Sequence, residues 1–198
     1  AVLYRTNAQS RALEESFIRY GVPYKLVSGT RFYERREVKD LIAYFRLIHN
    51  PADSVSLMRI INVPTRGLGE RSIVEMQSWA REKDISFYQS LTLATESDEK
   101  PSLSSRALAS FDTFYRMICL FIEESGRLSL LQLFDEVLES SGYQAYLKAQ
   151  PDGEERLENI AELRTVAEQF DNLPPGEALS PFLESISLVS DVDNLNET

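Results

Sequence analysis

Residues 62–72 read N-V-P-T-R-G-L-G-E-R-S, with Gly67 and Gly69 one residue apart and Arg66 and Arg71 on either side. Glycines so placed supply the positive φ of a tight turn and leave backbone N–H groups bare where the next helix begins. Successive bare amides at the positive end of a helix suit one phosphate group, and the two guanidinium groups would add charge-assisted contacts. Upstream, Ile60-Ile61-x-Val63 completes the form of a helix-hairpin-helix, in which apolar residues lock two helices together and Leu68 plugs the space between them. A site of this kind holds the sugar-phosphate backbone and ignores base sequence. The same letters also describe an ordinary glycine turn with incidental arginines, and this stretch alone leaves both readings open.

A second candidate is Y-R-T-N-A-Q-S-R at 4–11, where an apolar run gives way to a helical pattern. That is the edge at which open α/β sheets bind ligands. Arg5 and Asn7 can donate to phosphates or base edges there; Thr6 or Asn7 can equally serve as a helix N-cap. No catalytic constellation can be assembled. His49 is the only histidine, Cys119 the only cysteine, and no G-x-x-x-x-G-K-[ST] phosphate loop occurs. His49 therefore reads as a C-terminal helix cation, Cys119 as a buried core thiol, and no metal site is expected. The run L-S-L-L-Q-L-F-D-E at 128–136 imitates the strand and Asp-Glu pair of a nucleotide hydrolase. At helical spacing, however, Leu130, Leu131, Phe134, Val137 and Leu138 form one core stripe and Asp135, Glu136 and Glu139 face water.

The elements that must position these residues follow from patterning. A chain of 198 residues, 43% hydrophobic and 26% charged, has the composition of an ordinary globular protein with one good core. A lone cysteine excludes an internal disulfide framework. No apolar run approaches the roughly 18 residues of a membrane span, and no secretory leader pattern is present, so a cytoplasmic setting is expected. Charge is split: residues 1–83 hold 14 Lys/Arg against 9 Asp/Glu, whereas residues 84–198 hold 7 against 22. Such asymmetry fits a polyanion-facing surface at one end, and it also fits helix faces that are simply solvated.

Strand signals at 1–4 and 24–27 flank a helix over about 8–20, with Leu13, Phe17 and Tyr20 on one face, Gly21 as its stop and Pro23 beyond. This predicts a short βαβ piece of a larger α/β domain, because two strands cannot make a sheet alone. Beyond Tyr33 the pattern is helical. Val38, Leu41, Ile42, Phe45 and Ile48 form a stripe ended by Asn50-Pro51. Helices follow at about 54–62 and 70–82, then a longer one carries Leu108, Phe111, Tyr115, Ile118 and Ile122 to its stop at Gly126, and others lie at 129–141, 153–170 and 181–189, the last with Ser180 as N-cap and Pro181 in its first turn. Residues 92–101 read as a polar loop and the tail from 190 as loose or truncated.

Three stretches in order, Y-R-T-N-A-Q-S-R at 4–11, R-F-Y-E-R-R-E-V-K-D at 31–40 and N-V-P-T-R-G-L-G at 62–69, resemble the UvrD/PcrA/Rep-type DNA helicases, as does R-L-E-N at 156–159. The resemblance covers essentially the whole chain. It implies a mainly α fold: residues 1–28 as the start of the second RecA-like motor domain, 29–190 as the helical 2B accessory domain, and 191–198 as a tail. It implies a parent enzyme that uses ATP and Mg2+ to move three-prime to five-prime along single-stranded DNA and separate duplex in repair or replication. Arg5 and Asn7 match residues that touch the single strand. Thr65, Arg66, Gly67, Leu68 and Gly69 match the motif that holds duplex, with Leu68 in place of the commoner isoleucine, and Arg71 lies beside them. Residues 28–40 match the region where the accessory domain swivels on the motor. The phosphate loop, the metal site and the arginine finger of the family lack counterparts here, so this segment is expected to be non-catalytic, without its own cofactor. Its expected partners are a single-strand/duplex DNA junction, the remaining motor domains and repair proteins. The alternative is a protein-interaction or autoinhibitory module, motivated by the acidic helices after residue 84.

Overall fold

A hydrophobic stripe wider than the sequence pattern demands sets the architecture. In the computed structural model, which describes residues 1–26 and 30–195, helix α2 (Arg36–His49) buries Val38, Leu41, Ile42, Ala43, Tyr44, Phe45, Leu47 and Ile48. Only a helix with neighbours on several sides does so, and α2 packs against α3 (Ser54–Ile60), α6 (Ser105–Ser125), α9 (Gly153–Glu168) and α10 (Leu179–Leu195). The remaining helices are α1 (Ser10–Arg19), α4 (Glu70–Glu82), α5 (Phe87–Glu96), α7 (Leu130–Ser140) and α8 (Tyr143–Lys148). Phe45 is the aromatic hub, with ring centroids 5.3 Å from Phe134 and 5.7 Å from Phe182.

The expected helices are present, with corrections at their edges. Helix α5 occupies much of the stretch expected to be a polar loop. Ser86 caps it by accepting the Gln89 N–H (3.1 Å) while the Gln89 side chain accepts the Ser86 N–H (2.8 Å), and Phe87, Leu91 and Ala94 are buried. That capping box outweighs the polar composition of its second half. Helix α8 is additional to the helices that the apolar pattern predicts. Helix α10 starts at Leu179, so Ser180 is helical and donates to Glu184 (3.1 Å) instead of capping, and Pro181 still falls in the first turn. The helix runs to Leu195, through most of the expected tail; residues 196–198 lie outside the described part. Cys119 is half-buried, 3.6 Å from the Tyr88 hydroxyl.

No strand forms among the described residues. Residues 1–4 and 22–26 are irregular, and Val27 and Ser28 lie outside the described part. A strand needs a partner ladder, and these two short segments make none with each other. They flank an apolar cleft of about 580 Å³ lined also by Leu13 and Phe17, whose ring stacks on Tyr24 at 5.4 Å. Helix α1 is closed as expected at Gly21, with Val22 N–H bonding Phe17 O (2.8 Å) and Gly21 N–H bonding Ile18 O (3.1 Å). Its buried face differs from the expected one: Ser10, Arg11 and Glu14 are buried, whereas Tyr20 is 77% exposed.

Candidate nucleic-acid interface

The glycine loop is held from below by apolar burial. Asp53 caps α3 by accepting the Ser56 N–H (3.0 Å), and the Ser56 bonds hold its carboxyl below the usual range against the opposing push of burial. Leu57, Ile60, Ile61 and Leu68 are each at most 1% exposed, and all four belong to the hydrophobic core. Burying such a side chain contributes roughly 1.5–3 kcal/mol. Asn62 shapes the turn: its Oδ1 accepts the N–H groups of Arg66 (2.8 Å) and Leu68 (3.4 Å). Gly67 sits at φ +74°, the left-handed region that an L side chain adopts only with strain.

Above this floor the loop is open. Thr65, Gly67 and Gly69 are exposed, Gly69 is the N-cap of α4, and no protein acceptor meets the N–H groups of Gly67, Gly69, Glu70 or Arg71 among the described residues. Arg71 is 91% exposed on its side chain, with one long contact to Glu75 (3.4 Å).

Arg66 corrects the expectation of two outward guanidinium groups. Its Nη1 donates to Ile60 O (2.8 Å), Ile61 O (3.3 Å) and Pro64 O (3.3 Å). Its Nη2 donates to the Tyr44 hydroxyl (2.6 Å) and Ser141 O (3.3 Å), and the group lies 5.3 Å above the Phe114 ring. Free carbonyls at the end of α3 and in the turn after it attract the cation inward, where it joins the loop to α2, α6 and the end of α7. Tyr44, whose hydroxyl burial pushes above the usual phenol range, donates onward to Val63 O (2.7 Å). Asn62 is of a residue type that turns favour, the one signal that could single it out; Tyr44 and Ser141 carry no such signal.

Arg5 and Asn7 lie against other elements. The Arg5 N–H donates to Gln9 Oε1 (3.0 Å), so the Gln9 side chain closes the turn at Asn7–Gln9. Thr6 is the N-cap of that turn without a side-chain cap bond, and Asn7 donates its amide to Glu155 on α9. Arg5 is exposed and shares with Asn7 a cleft of about 350 Å³ whose other wall is Glu154, Glu155 and Glu158.

Beneath this cleft a buried polar cluster joins α1, α2 and α9. Arg35 donates to Asn159 Oδ1 (2.7 Å) and Ser10 Oγ (2.7 Å), Ser10 donates to Glu14, and Glu14 accepts the Phe32 N–H (3.2 Å). Glu37 accepts from Asn159 (2.7 Å) and Arg156 (3.2 Å). Burial lowers the Arg35 pKa despite the surrounding carboxylates. One level over, Asp40 is 3% exposed and accepts from Arg59 (2.7 Å) and Tyr143 (2.9 Å). This is why the R-F-Y-E-R-R-E-V-K-D and R-L-E-N stretches belong together: they are two halves of one cluster. His49 is exposed at the end of α2, and no group of three or more His, Cys, Asp or Glu residues that could hold a metal occurs among the described residues.

Comparison with known proteins agrees in kind. The family model described as "UvrD-like helicase C-terminal domain" matches residues 1–197. The chain is 38% identical over 199 aligned positions to the ATP-dependent DNA helicase PcrA of Bacillus subtilis (strain 168), covering 100% of this chain and 26% of the relative. It is 41% identical over 197 positions to PcrA of Staphylococcus epidermidis (strain ATCC 12228 / FDA PCI 1200) and of Staphylococcus aureus (strain COL), each covering 98% of this chain and 26% of the relative. The chain thus spans about a quarter of the length of the curated relatives it matches.

Proposed function

The chain belongs to the family of UvrD-like helicase C-terminal domains, and on that premise we propose that it is the DNA-gripping part of an ATP-dependent three-prime to five-prime DNA helicase. In this reading residues 1–28 belong to the second RecA-like motor domain, where the apolar cleft beside residues 1–4 and 24–26 is completed by the rest of a parallel sheet. Residues 29–190 form the helical 2B accessory domain. Duplex backbone rests on Thr65, Gly67 and Gly69 with Arg71 beside it; Leu68, expected to share that contact, is buried beneath it and, with Arg66, holds the loop from behind. Arg5 and Asn7 touch the single strand. The partners are a DNA junction and the remaining motor domains, and repair proteins are further candidates. The sequence holds no phosphate loop of the G-x-x-x-x-G-K-[ST] form that would cradle ATP. Hydrolysis is accordingly assigned to other parts of the parent.

The observation that carries this reading is that the N–H groups of Gly67, Gly69, Glu70 and Arg71, all in exposed residues, meet no protein acceptor among the described residues and stand on a buried apolar floor. A backbone-binding surface needs donors that are fixed in place yet unspent, and this loop supplies them. The test is binding of a forked DNA oligonucleotide across a salt series, followed by fluorescence anisotropy. Arg71→Ala should lower the slope of log K against log salt by about 0.9, the contribution of one phosphate contact. A slope unaltered by Arg71→Ala, or no binding of forked DNA, would remove the duplex site.

A second reading, an autoinhibitory or partner-binding module, is favoured by one observation: Glu155 already holds the Asn7 amide, with Glu154 and Glu158 beside Arg5. Neutralising these glutamates should strengthen single-strand binding if they screen the site, and leave it unchanged if they do not.

A further inference from the structure

The glycine loop has a neighbour that no sequence pattern assigns to it. A Cβ placed on Gly67 would lie 3.9 Å from Arg106 Nη2 and 3.9 Å from Ser110 Oγ, so both side chains of α6 border the exposed turn. Arg106 is exposed, and no ion pair or hydrogen bond of its guanidinium occurs among the described residues. Most other arginines near the loop are spent: Arg66 on five oxygens of the protein, Arg59 on Asp40.

The location of Arg106 is also locally unfavourable. Ser104 caps α6, so Arg106 is the second helical residue, in a first turn that contains no acidic side chain. A cation there opposes the helix dipole. It therefore brings no helix stability, and nothing in the protein compensates it. A residue that violates a local rule without an internal partner points to an external one. The neighbouring hydroxyl of Ser110 adds a neutral donor at the same glycine, whose own N–H meets no protein acceptor among the described residues.

We propose that Arg106, assisted by Ser110, is the second cationic contact of the duplex-holding loop: it takes the role that the sequence suggested for Arg66 and grips a DNA phosphate across Gly67. The proposal rests on the duplex-backbone reading given above. It gives the grip two walls, Arg71 from α4 and Arg106 from α6, in place of a single linear motif.

The test uses the whole chain, a forked DNA oligonucleotide and the same salt series. Arg106→Ala should weaken binding about fivefold and lower the salt slope by about 0.9, uniformly over DNA sequences. Arg106→Lys should restore most of the slope, whereas a merely structural role would not track charge. Thermal unfolding of Arg106→Ala should be unchanged or slightly higher than wild type, because the lost cation opposed the helix dipole. If Arg71→Ala flattens the slope and Arg106→Ala leaves it at the wild-type value, this inference is wrong while the duplex reading stands. If neither variant alters binding, both are wrong.

Discussion

Replacing Arg66 with alanine separates two accounts of the same residue. An outward Arg66 would give a variant of normal stability with a reduced salt dependence of DNA binding. The structure gives the opposite. The guanidinium meets five oxygens at 2.6–3.3 Å and lies over Phe114. A hydrogen bond from a charged group contributes about 1.5–3 kcal/mol and a cation–ring contact about 0.5–1 kcal/mol, but the bonds share one group and do not add. Water can reach part of the vacated space, so we expect a net loss of about 3 kcal/mol. For a domain of this size that corresponds to a fall of about 6–12 °C in Tm. The assay is urea and thermal denaturation by circular dichroism, paired with the forked-DNA salt series at a temperature where the variant is folded. Arg66→Lys should recover little, because an ammonium cannot span the oxygens that the planar fork reaches. A variant with wild-type Tm and a salt slope lower by about 0.9 would refute the inward assignment.

Two further outcomes follow from the geometry. Gly153→Ala should cost more than about 2 kcal/mol, since its Cβ would stand 2.4 Å from Leu147 O, a backbone atom that cannot swing aside; chemical denaturation measures it. Stability should also fall in acid through Asp53 and Asp171. Ser56 bonds outweigh burial at Asp53, and the Leu131 N–H with Ser129 acts at Asp171, so both carboxyls titrate below their ordinary value. Their contribution is complete above the unfolded carboxylate pKa of about 3.9 and is lost as pH falls through the lower folded values. Asp171→Asn should blunt that acid loss in a Tm-against-pH profile.

The periodicity of apolar residues places α2, α4, α6, α7 and α9 and rejects the strand-like reading of residues 128–136, because burial of a 3.6-residue stripe is a local property. The same logic does not reach α5, whose capping box at Ser86 and Gln89 is legible but whose second half holds Thr92, Thr95 and Glu96. The destination of each charge was beyond it. Arg66 turns inward because oxygens from residues 44 to 141 surround it, Asn7 meets Glu155, and the buried face of α1 is polar because Arg35 and Asn159 stand opposite. Chain pattern records where apolar atoms recur. The direction a long polar side chain takes depends on which distant groups folding brings within 3 Å, and only the tertiary structure decides that.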